Sequence, residues 1–167
     1  ILSDRKDMER VNEKLKEKNC LMIAKIHPAQ DLSLIDTESF SNIKIVTSAR
    51  MQATQCNLYE LLSHADALIT DYSSVYFDYL LLDRPIGFTV DDIDEYMNNR
   101  GFVVDDPYEL MPGAFINTPE EFLQFVDNLL NGKDDYRENR KKVNRLVNQF
   151  EGGMDCERVL KIAGIEL

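Results

Sequence analysis

The sequence predicts an α/β fold in which a parallel sheet is covered by helices on both faces. Short apolar segments alternate along the chain with longer segments whose apolar residues recur at helical spacing. The apolar segments are continuous, which is typical of strands buried on both faces of a parallel sheet. With 167 residues, of which 44% are hydrophobic and 29% charged, the chain has the size and composition of one globular domain, and we treat residues 1–167 as such.

The first part of the chain predicts one helix and two strands. Apolar residues at helical spacing predict an amphipathic helix over residues 4–18. The apolar residues 20–26 form a buried strand that ends before Pro28, because proline cannot continue a central strand. Residues 43–47 form the second predicted strand.

The middle of the chain repeats this alternation. Asn57 is a suitable N-cap for a helix over residues 58–64, and Glu60 stands at the capping-box position. Residues 67–70 are predicted as a strand in the interior of the sheet. A helix over residues 75–82 follows it after a short polar loop.

The remaining sequence predicts two further strands and several helices. The strands are residues 85–90 and 114–117, and residues 101–112 between them are predicted to be irregular. Thr118 as N-cap and Pro119 at the first helical position are strong signals for a helix start. The helices of this region are predicted to begin within residues 91–95 and to cover residues 119–131, 134–149 and 154–163.

The acidic composition restricts the partners of the chain. It has 19 Lys and Arg residues against 30 Asp and Glu residues, a net charge of −11, which disfavours binding to nucleic acid or anionic lipid through the overall field. An anionic ligand must therefore be held by local donors. No apolar run approaches the roughly 20 residues that span a bilayer. The three widely spaced cysteines fit a reducing cytoplasm, and we expect them to be buried, unreactive core residues. Because the polar start lacks both a signal peptide and an initiator Met, we expect the chain to be part of a longer protein.

Several common sites are missing from the sequence. There is no Gly-x-Gly-x-x-Gly segment, no P-loop and no Gly-x-Ser-x-Gly elbow, which disfavours ordinary NAD or P-loop binding and an α/β-hydrolase. The two histidines have no acidic residues nearby at metal-ligand spacing, and the acidic segments lack the pattern of a calcium loop. We expect neither a metal site nor a cofactor.

The best local candidate for a binding site follows the strand 67–70. Asp71, Ser73 and Ser74 stand between the carboxyl end of that strand and the start of a helix, where backbone N–H groups lack intrahelical partners. With two hydroxyls beside these groups, the segment can hold an anion. Helix capping by Ser73 or Asp71 explains the same residues equally well.

Two further polar residues are candidates for anion contacts, and His27 is expected on the same edge of the sheet as the polar loop, whereas Arg100 stands in an irregular stretch. His27 directly follows a strand, and such a histidine can donate to a phosphate, although it can also merely pack against Pro28. Arg100, beside Gly101, can approach an anion closely, although a surface arginine is the commoner outcome. His64 is predicted to interact with the carbonyl groups at the end of its own helix.

The sequence resembles the CDP-glycerol glycerophosphotransferase family, the polymerases and primases of wall teichoic acid. The resemblance extends over about residues 20–163 and rests on a specific combination of motifs in a matching order. These are Lys-Ile-His-Pro at 25–28, Asn-Leu-Tyr-Glu-Leu-Leu at 57–62, Ala-Asp-Ala-Leu-Ile-Thr-Asp-Tyr-Ser-Ser-Val-Tyr-Phe-Asp-Tyr at 65–79, Arg-Pro-Ile at 84–86, Tyr96, Arg-Gly-Phe at 100–102, Pro-Gly at 112–113 and Glu-Arg-Val at 157–159.

The resemblance implies a two-lobed GT-B architecture, of which this chain is the C-terminal, Rossmann-like, nucleotide-binding lobe, with the N-terminal lobe absent. In the family the cleft between the lobes holds CDP-glycerol, an acceptor hydroxyl attacks the phosphorus that bears glycerol, and CMP leaves without a metal ion. The resemblance gives His27 a catalytic contact with the pyrophosphate, Ser73 and Ser74 the phosphate-binding hydroxyls, and Asp71 and Arg100 further substrate contacts. A second histidine, in the other lobe, is the usual candidate base.

The implied partners are CDP-glycerol or a related CDP-polyol and, through the other lobe, a growing teichoic-acid-type polymer. The parent protein is expected in the cytoplasm, peripheral to the inner face of the plasma membrane. The sequence departs from the family pattern at Asp155-Cys156, where small hydroxyl residues are frequent, and at Ile26, where proline is frequent. Two alternatives stay open: another GT-B enzyme, such as a nucleotide-sugar glycosyltransferase or a UDP-N-acetylglucosamine 2-epimerase, and a nucleotide-binding module without catalysis.

Overall fold

The computed structural model describes residues 4–25, 40–150 and 152–165, and these form five strands and eight α-helices. The strands are β1 (Met22–Lys25), β2 (Ile43–Val46), β3 (Leu68–Thr70), β4 (Ile86–Phe88) and β5 (Ala114–Phe115). The helices are α1 (Arg5–Glu17), α2 (Ser48–Ala53), α3 (Leu58–His64), α4 (Val75–Tyr79), α5 (Ile93–Asn99), α6 (Pro119–Leu130), α7 (Arg137–Val147) and α8 (Asp155–Ile162). Two 3-10 turns, Leu80–Leu82 and Pro107–Leu110, complete the described elements.

All strand pairs of the described chain are parallel, as predicted, but their hydrogen bonds form two sheets. One sheet has the order β1-β2 and the other β3-β4-β5. The second sheet pairs Leu68 with Ile86 and Gly87 with Ala114. Among the described residues, β3 pairs with β4 alone and is half-buried, which contradicts the interior position predicted for this strand. The interior strand is β4, in which Phe88 is 0% exposed.

Helices cover both faces of the three-stranded sheet, as the sequence predicted. Ile86 and Phe88 point to a core cluster that also holds buried residues of α3, α4 and α7. Ile69, on the opposite face of β3, packs in a second cluster with buried residues of α1 and α6. Met22 of β1 and Ile43 of β2 belong to this second cluster too, so the two sheets share a core cluster although no hydrogen bond between the described strands joins them.

The predicted helix starts are confirmed at the atomic level. Asn57 Oδ1 accepts the backbone N–H of Glu60 at 2.7 Å and thereby caps α3. At α6 the capping box is complete, because Thr118 accepts the backbone N–H of Glu121 while the Glu121 carboxylate accepts the N–H of Thr118. Both caps satisfy N–H groups that a helix start leaves without intrahelical partners.

Four features differ from the sequence prediction. Helix α2 was not predicted, since Met51 is its one buried residue and no apolar stripe marks it. The predicted helix over residues 75–82 is α-helical to Tyr79 and continues as a 3-10 turn. The segment predicted as irregular contains the 3-10 turn Pro107–Leu110. Cys156 is exposed, whereas all three cysteines were expected in the core.

A buried arginine fastens α7 to the segment that follows α4. Arg140 is 1% exposed and donates to Asp134 Oδ1 at 2.8 Å and to the carbonyl oxygen of Asp83 at 3.4 Å. Asn148, at the other end of α7, donates to the carbonyl oxygen of Phe77 at 2.8 Å. These contacts fix the far side of α4, whose first turn follows the polar loop 71–74.

Asp134→Asn is expected to weaken the pH dependence of the unfolding free energy at acid pH. Hydrogen bonding to Arg140 holds the pKa of Asp134 below its usual value of 3.8. Its stabilising contribution is therefore present above about pH 4 and is lost as the pH falls through the lower folded-state pKa. At pH 7 the substitution should cost about 1–3 kcal/mol of unfolding free energy, because a buried charged donor loses its ionised partner. Urea unfolding between pH 2 and pH 7 measures both effects.

Asp135→Asn is the matched control for this measurement, because Asp135 is exposed and pairs with Lys133 at the surface. Exposed ion pairs contribute about 0–1 kcal/mol. If both variants give the same pH dependence of unfolding, the ion pair between Asp134 and Arg140 does not stabilise the fold.

Gly113 allows β5 to approach β4 closely. A Cβ atom at Gly113 would lie 2.2 Å from the carbonyl oxygen of Ile86, which belongs to the β4 backbone and cannot turn away as a side chain would. The adjacent pairing of Gly87 with Ala114 depends on this approach. A side chain at position 113 would therefore push the two strands apart.

Gly113→Ala is expected to destabilise the domain by about 3 kcal/mol, the upper part of the range for overpacking. Gly132→Ala is the control, since Gly132 has φ +65 and no neighbouring heavy atom within 4 Å of an added Cβ. That variant carries only backbone strain, about 1 kcal/mol. Thermal and urea unfolding measure both losses, and equal losses would contradict the close approach of the strands.

Candidate functional site

The predicted polar loop lies at the carboxyl end of β3 and leads into α4. We call residues 71–74 the serine loop. Asp71 Oδ1 accepts the backbone N–H of Ser73 at 2.7 Å and lies 3.4 Å from the Thr70 hydroxyl oxygen. The backbone N–H of Thr89 donates to the carbonyl oxygen of Thr70 at 2.9 Å, which ties the start of the loop to the end of β4. The carboxylate of Asp71 therefore shapes the loop.

The helix-capping interpretation of these residues is not what the structure shows. The N-cap residue of α4 is Ser74, whose backbone is helical and whose side chain makes no capping hydrogen bond. Asp71 bonds within the loop rather than to the first turn of α4. Ser73 and Ser74 are exposed, and within the described chain their hydroxyls have no hydrogen-bond partner. Two free hydroxyls thus lie at the carboxyl edge of the sheet, where ligands of parallel α/β domains bind.

An aromatic cluster connects the serine loop to the end of α5. The ring of Tyr72 lies 4.4 Å from that of Tyr96 and 5.4 Å from that of Phe102, measured between centroids. Tyr96 and Phe102 are themselves 5.0 Å apart, so all three rings are in mutual contact. Sequence reasoning did not predict this cluster, although the three aromatic residues stand in the motifs on which the resemblance rests.

The Tyr72 side chain is half-buried, and the acidic side chains of Asp92 and Asp71 influence its hydroxyl. Burial and then a hydrogen bond to the Asp92 carboxylate raise the pKa of Tyr72 to about 12. Tyr72 therefore stays neutral at physiological pH. The three rings connect the serine loop to the end of α5.

Arg100 is the C-cap residue of α5 and stands two residues before Phe102 of this cluster. The backbone N–H groups of Arg100 and Gly101 both donate to the carbonyl oxygen of Tyr96, at 2.9 and 3.0 Å. Gly101 has φ +73, a left-handed conformation that glycine adopts without strain and that turns the chain away from the helix axis. The Arg100 side chain is exposed, and Arg100 is the only Lys or Arg of the sequence between Arg84 and Lys133.

Of the two histidines, the structure describes only His64. His27 lies outside the described residues. His64 Nδ1 is 2.9 Å from the carbonyl oxygen of Glu60, so this histidine interacts with the end of its own helix as predicted.

In residues 4–25, 40–150 and 152–165, no group of three or more His, Cys, Asp or Glu side chains is placed to hold a metal ion. None of the helices in these ranges is long and apolar enough to cross a membrane.

Asp71, Ser73 and Ser74 of the serine loop are exposed in the described part of the chain. A cavity of about 380 Å³ lies elsewhere, between α7 and the 3-10 turn Leu80–Leu82, where Asp83 and Asn144 line it. It contains none of the residues that the sequence selected. The exposed hydroxyls, in contrast, follow the carboxyl end of β3, where the topology of the sheet places a ligand. The turn that carries Arg100 is connected to them through the rings of Tyr96 and Phe102.

The parallel sheet, its covering helices and the polar loop at its carboxyl edge define a Rossmann-like α/β domain of the GT-B type. The chain belongs to the CDP-Glycerol:Poly(glycerophosphate) glycerophosphotransferase family, whose model matches residues 2–163. The family that the sequence motifs implied is therefore confirmed.

Characterised relatives come from wall teichoic acid synthesis. The chain is 33% identical over 123 residues to the teichoic acid glycerol-phosphate primase of Bacillus subtilis (strain 168), a match that covers 74% of this chain and 30% of the relative. It is 25% identical over 158 residues to the teichoic acid ribitol-phosphate polymerase TarL of Staphylococcus aureus (strain NCTC 8325 / PS 47), which covers 93% of this chain and 26% of TarL.

Solved structures of the wall teichoic acid polymerase TagF have the same fold. One superposes with a TM-score of 0.69 at 27% identity over 93% of this chain and 36% of the TagF chain. A TagF variant soaked with CDPG superposes with a TM-score of 0.70 at 26% identity, over 93% of this chain and 37% of that chain. The chain thus spans about a third or less of the length of these relatives.

Proposed function

We propose that the chain is the C-terminal, nucleotide-binding half of a transferase that moves glycerol phosphate, or a related polyol phosphate, from a CDP-polyol to a cell-surface polymer. The observation that carries this proposal is the serine loop, which presents two exposed hydroxyls, without a partner among the described residues, at the carboxyl edge of a Rossmann-like domain. Family membership supports the reaction class. The soak of a TagF variant with CDPG supports a CDP-linked donor.

The serine loop binds the diphosphate of the donor. The hydroxyls of Ser73 and Ser74 donate hydrogen bonds to phosphate oxygens, and Asp71 keeps the loop in the conformation that presents them. Arg100 adds a positive charge from the adjoining turn. Hydrogen bonds to charged groups contribute about 1.5–3 kcal/mol each, so a few local donors suffice to hold an anion on a chain whose net charge is −11.

The chemical step needs charge stabilisation rather than a covalent intermediate. An acceptor hydroxyl attacks the phosphorus that bears the polyol, the bond from that phosphorus to the bridging oxygen breaks, and CMP leaves with the electron pair. Phosphoryl-type transfer is promoted chiefly by positioning and by donors aimed at the developing charge. We assign His27 to the leaving diphosphate oxygen, where its cationic form is the better donor, and the acceptor and the base to the other lobe.

The polyol and the cellular setting are part of the same proposal. Relatives of both the glycerol-phosphate and the ribitol-phosphate type match this chain, which supports a CDP-polyol rather than one defined alcohol. The acceptor is a teichoic-acid-type polymer, and the protein works in the cytoplasm at the inner face of the plasma membrane. Nucleic acid is not a partner in this proposal.

Nucleotide titration tests the ligand class. We expect CDP to bind the protein more tightly than UDP or ADP, and Ser73→Ala and Ser74→Ala each to weaken CDP binding about tenfold, equivalent to 1.4 kcal/mol. Calorimetry measures the dissociation constants. Equal or tighter binding of UDP would contradict the cytidine assignment and favour another GT-B enzyme.

Ser63→Ala is the matched control for the two serine variants. Its hydroxyl donates to the carbonyl oxygen of Glu60 on the exposed side of α3, so its loss removes a serine hydroxyl outside the serine loop. CDP affinity should be unchanged in this variant. If all three serine variants bind CDP equally well, the serine loop is not the phosphate site.

The pH dependence of CDP binding tests His27. A histidine has an unperturbed pKa of about 6.5, and the charged imidazole interacts more favourably with a diphosphate than the neutral one does. CDP binding should therefore weaken as the pH rises from 5.5 to 8, and His27→Ala should weaken it at low pH and remove much of this slope. His27→Gln keeps a neutral donor and should recover part of the affinity. An unchanged affinity and slope in His27→Ala would restrict this residue to a packing role.

A further inference from the structure

Tyr72 has a position that the proposed phosphate contacts do not explain. It stands in the serine loop between Asp71 and Ser73, yet its side chain turns inward and packs at the edge of a core cluster. The rings that it contacts, Tyr96 and Phe102, stand on either side of Arg100 in the sequence. The aromatic cluster therefore joins the two segments from which the proposed ligand contacts come.

The serine loop and the turn that carries Arg100 are both stabilised by contacts with the rest of the domain. Tyr72 and Phe102 pack against the core cluster that contains Phe88 of the central strand. The turn that carries Arg100 is closed by two backbone hydrogen bonds to the carbonyl oxygen of Tyr96. Aromatic pairs of this kind stabilise a contact beyond the burial of their area. The serine loop and the Arg100 turn should consequently behave as one rigid unit.

We propose that Tyr72 is a positioning residue that holds the Arg100 turn beside the serine loop, so that Arg100 and the hydroxyls of Ser73 and Ser74 meet the same diphosphate. This inference rests on the proposed function, because it needs a diphosphate at the serine loop. The contribution of Arg100 to ligand binding then depends on the ring of Tyr72.

The acidic residues that flank Arg100 explain why its turn must be held in place. The sequence on either side of Arg100 is strongly acidic, with Asp91, Asp92, Asp94, Glu95, Asp105 and Asp106. A loosely held arginine would pair with these carboxylates instead of an incoming anion. The rings of Tyr72, Tyr96 and Phe102 hold the turn that carries Arg100.

A double-mutant cycle between Tyr72 and Arg100 tests this inference in the complete protein. The readout is the dissociation constant of CDP, measured by calorimetry for Tyr72→Leu, Arg100→Ala and the double variant. Arg100→Ala should weaken binding about tenfold, and Tyr72→Leu about threefold to tenfold. If Tyr72 acts through Arg100, the double variant should bind CDP no more weakly than Arg100→Ala alone, whereas independent effects would multiply.

Conservative and matched variants separate positioning from general stability. Tyr72→Phe keeps the three rings and should retain nearly all of the affinity that Tyr72→Leu loses. Tyr108→Leu removes a tyrosine from another ring pair, 5.6 Å from Phe115, and should leave CDP affinity unchanged. Tyr59→Phe removes a tyrosine hydroxyl that donates to Asp78 at 3.0 Å and should likewise have no effect on binding.

The outcomes distinguish this inference from the proposed function. If Ser73→Ala weakens CDP binding but Tyr72→Leu does not, or if the losses of Tyr72→Leu and Arg100→Ala multiply, the positioning role is wrong and the phosphate site stands. If neither the serine variants nor Arg100→Ala changes the affinity, both proposals are wrong. Should Tyr72→Leu fail to fold, Tyr96→Leu removes a different ring of the same cluster, and the same cycle with Arg100→Ala decides the question.

Discussion

The burial of strand β4 on both faces determines where the polar loops of this domain lie. Phe88 is 0% exposed and Ile86 1% exposed, and an added Cβ at Gly87 would meet side chains of the opposite core cluster. A strand of this kind needs helices above and below, and parallel neighbours with right-handed crossovers provide them. Every loop that leaves a strand of this sheet at its carboxyl end then lies on one edge. The serine loop follows from this arrangement, since β3 pairs with β4 in parallel register.

The sequence predicted local features of the fold better than long-range ones. Helix α6 was placed closely because Thr118 and Pro119 are local signals that act within one turn. The place of β3 was predicted wrongly, because a short apolar run looks the same at the edge and in the centre of a sheet, and only pairing partners distinguish the two. Helix α2 was missed for a related reason, since it buries only Met51 and so has no periodic stripe.

The candidate site shows the same division. Asp71, Ser73 and Ser74 form a local motif, and their place between a strand and a helix could be inferred from the sequence. The contact of Tyr72 with Tyr96 and Phe102 joins segments that are far apart in the chain, so no spacing rule could reveal it. The family motifs did contain all three aromatic residues, but a motif shows that residues recur together and not which of them touch.

The electrostatics of the serine loop depend on how its one carboxylate is used. Asp71 places a negative charge beside the proposed anion site, which by itself would repel a diphosphate. Its Oδ1 atom, however, accepts the backbone N–H of Ser73 at 2.7 Å. The carboxylate therefore stabilises the loop conformation in which both serine hydroxyls lack a partner among the described residues. Exposed side chains also make weaker ionic contacts, because charges interact more strongly once water is excluded. In the proposed function the loop and Arg100 orient a diphosphate, and their effect on a reacting phosphorus increases when a second surface covers the ligand, which is the physical reason for proposing that catalysis needs two lobes.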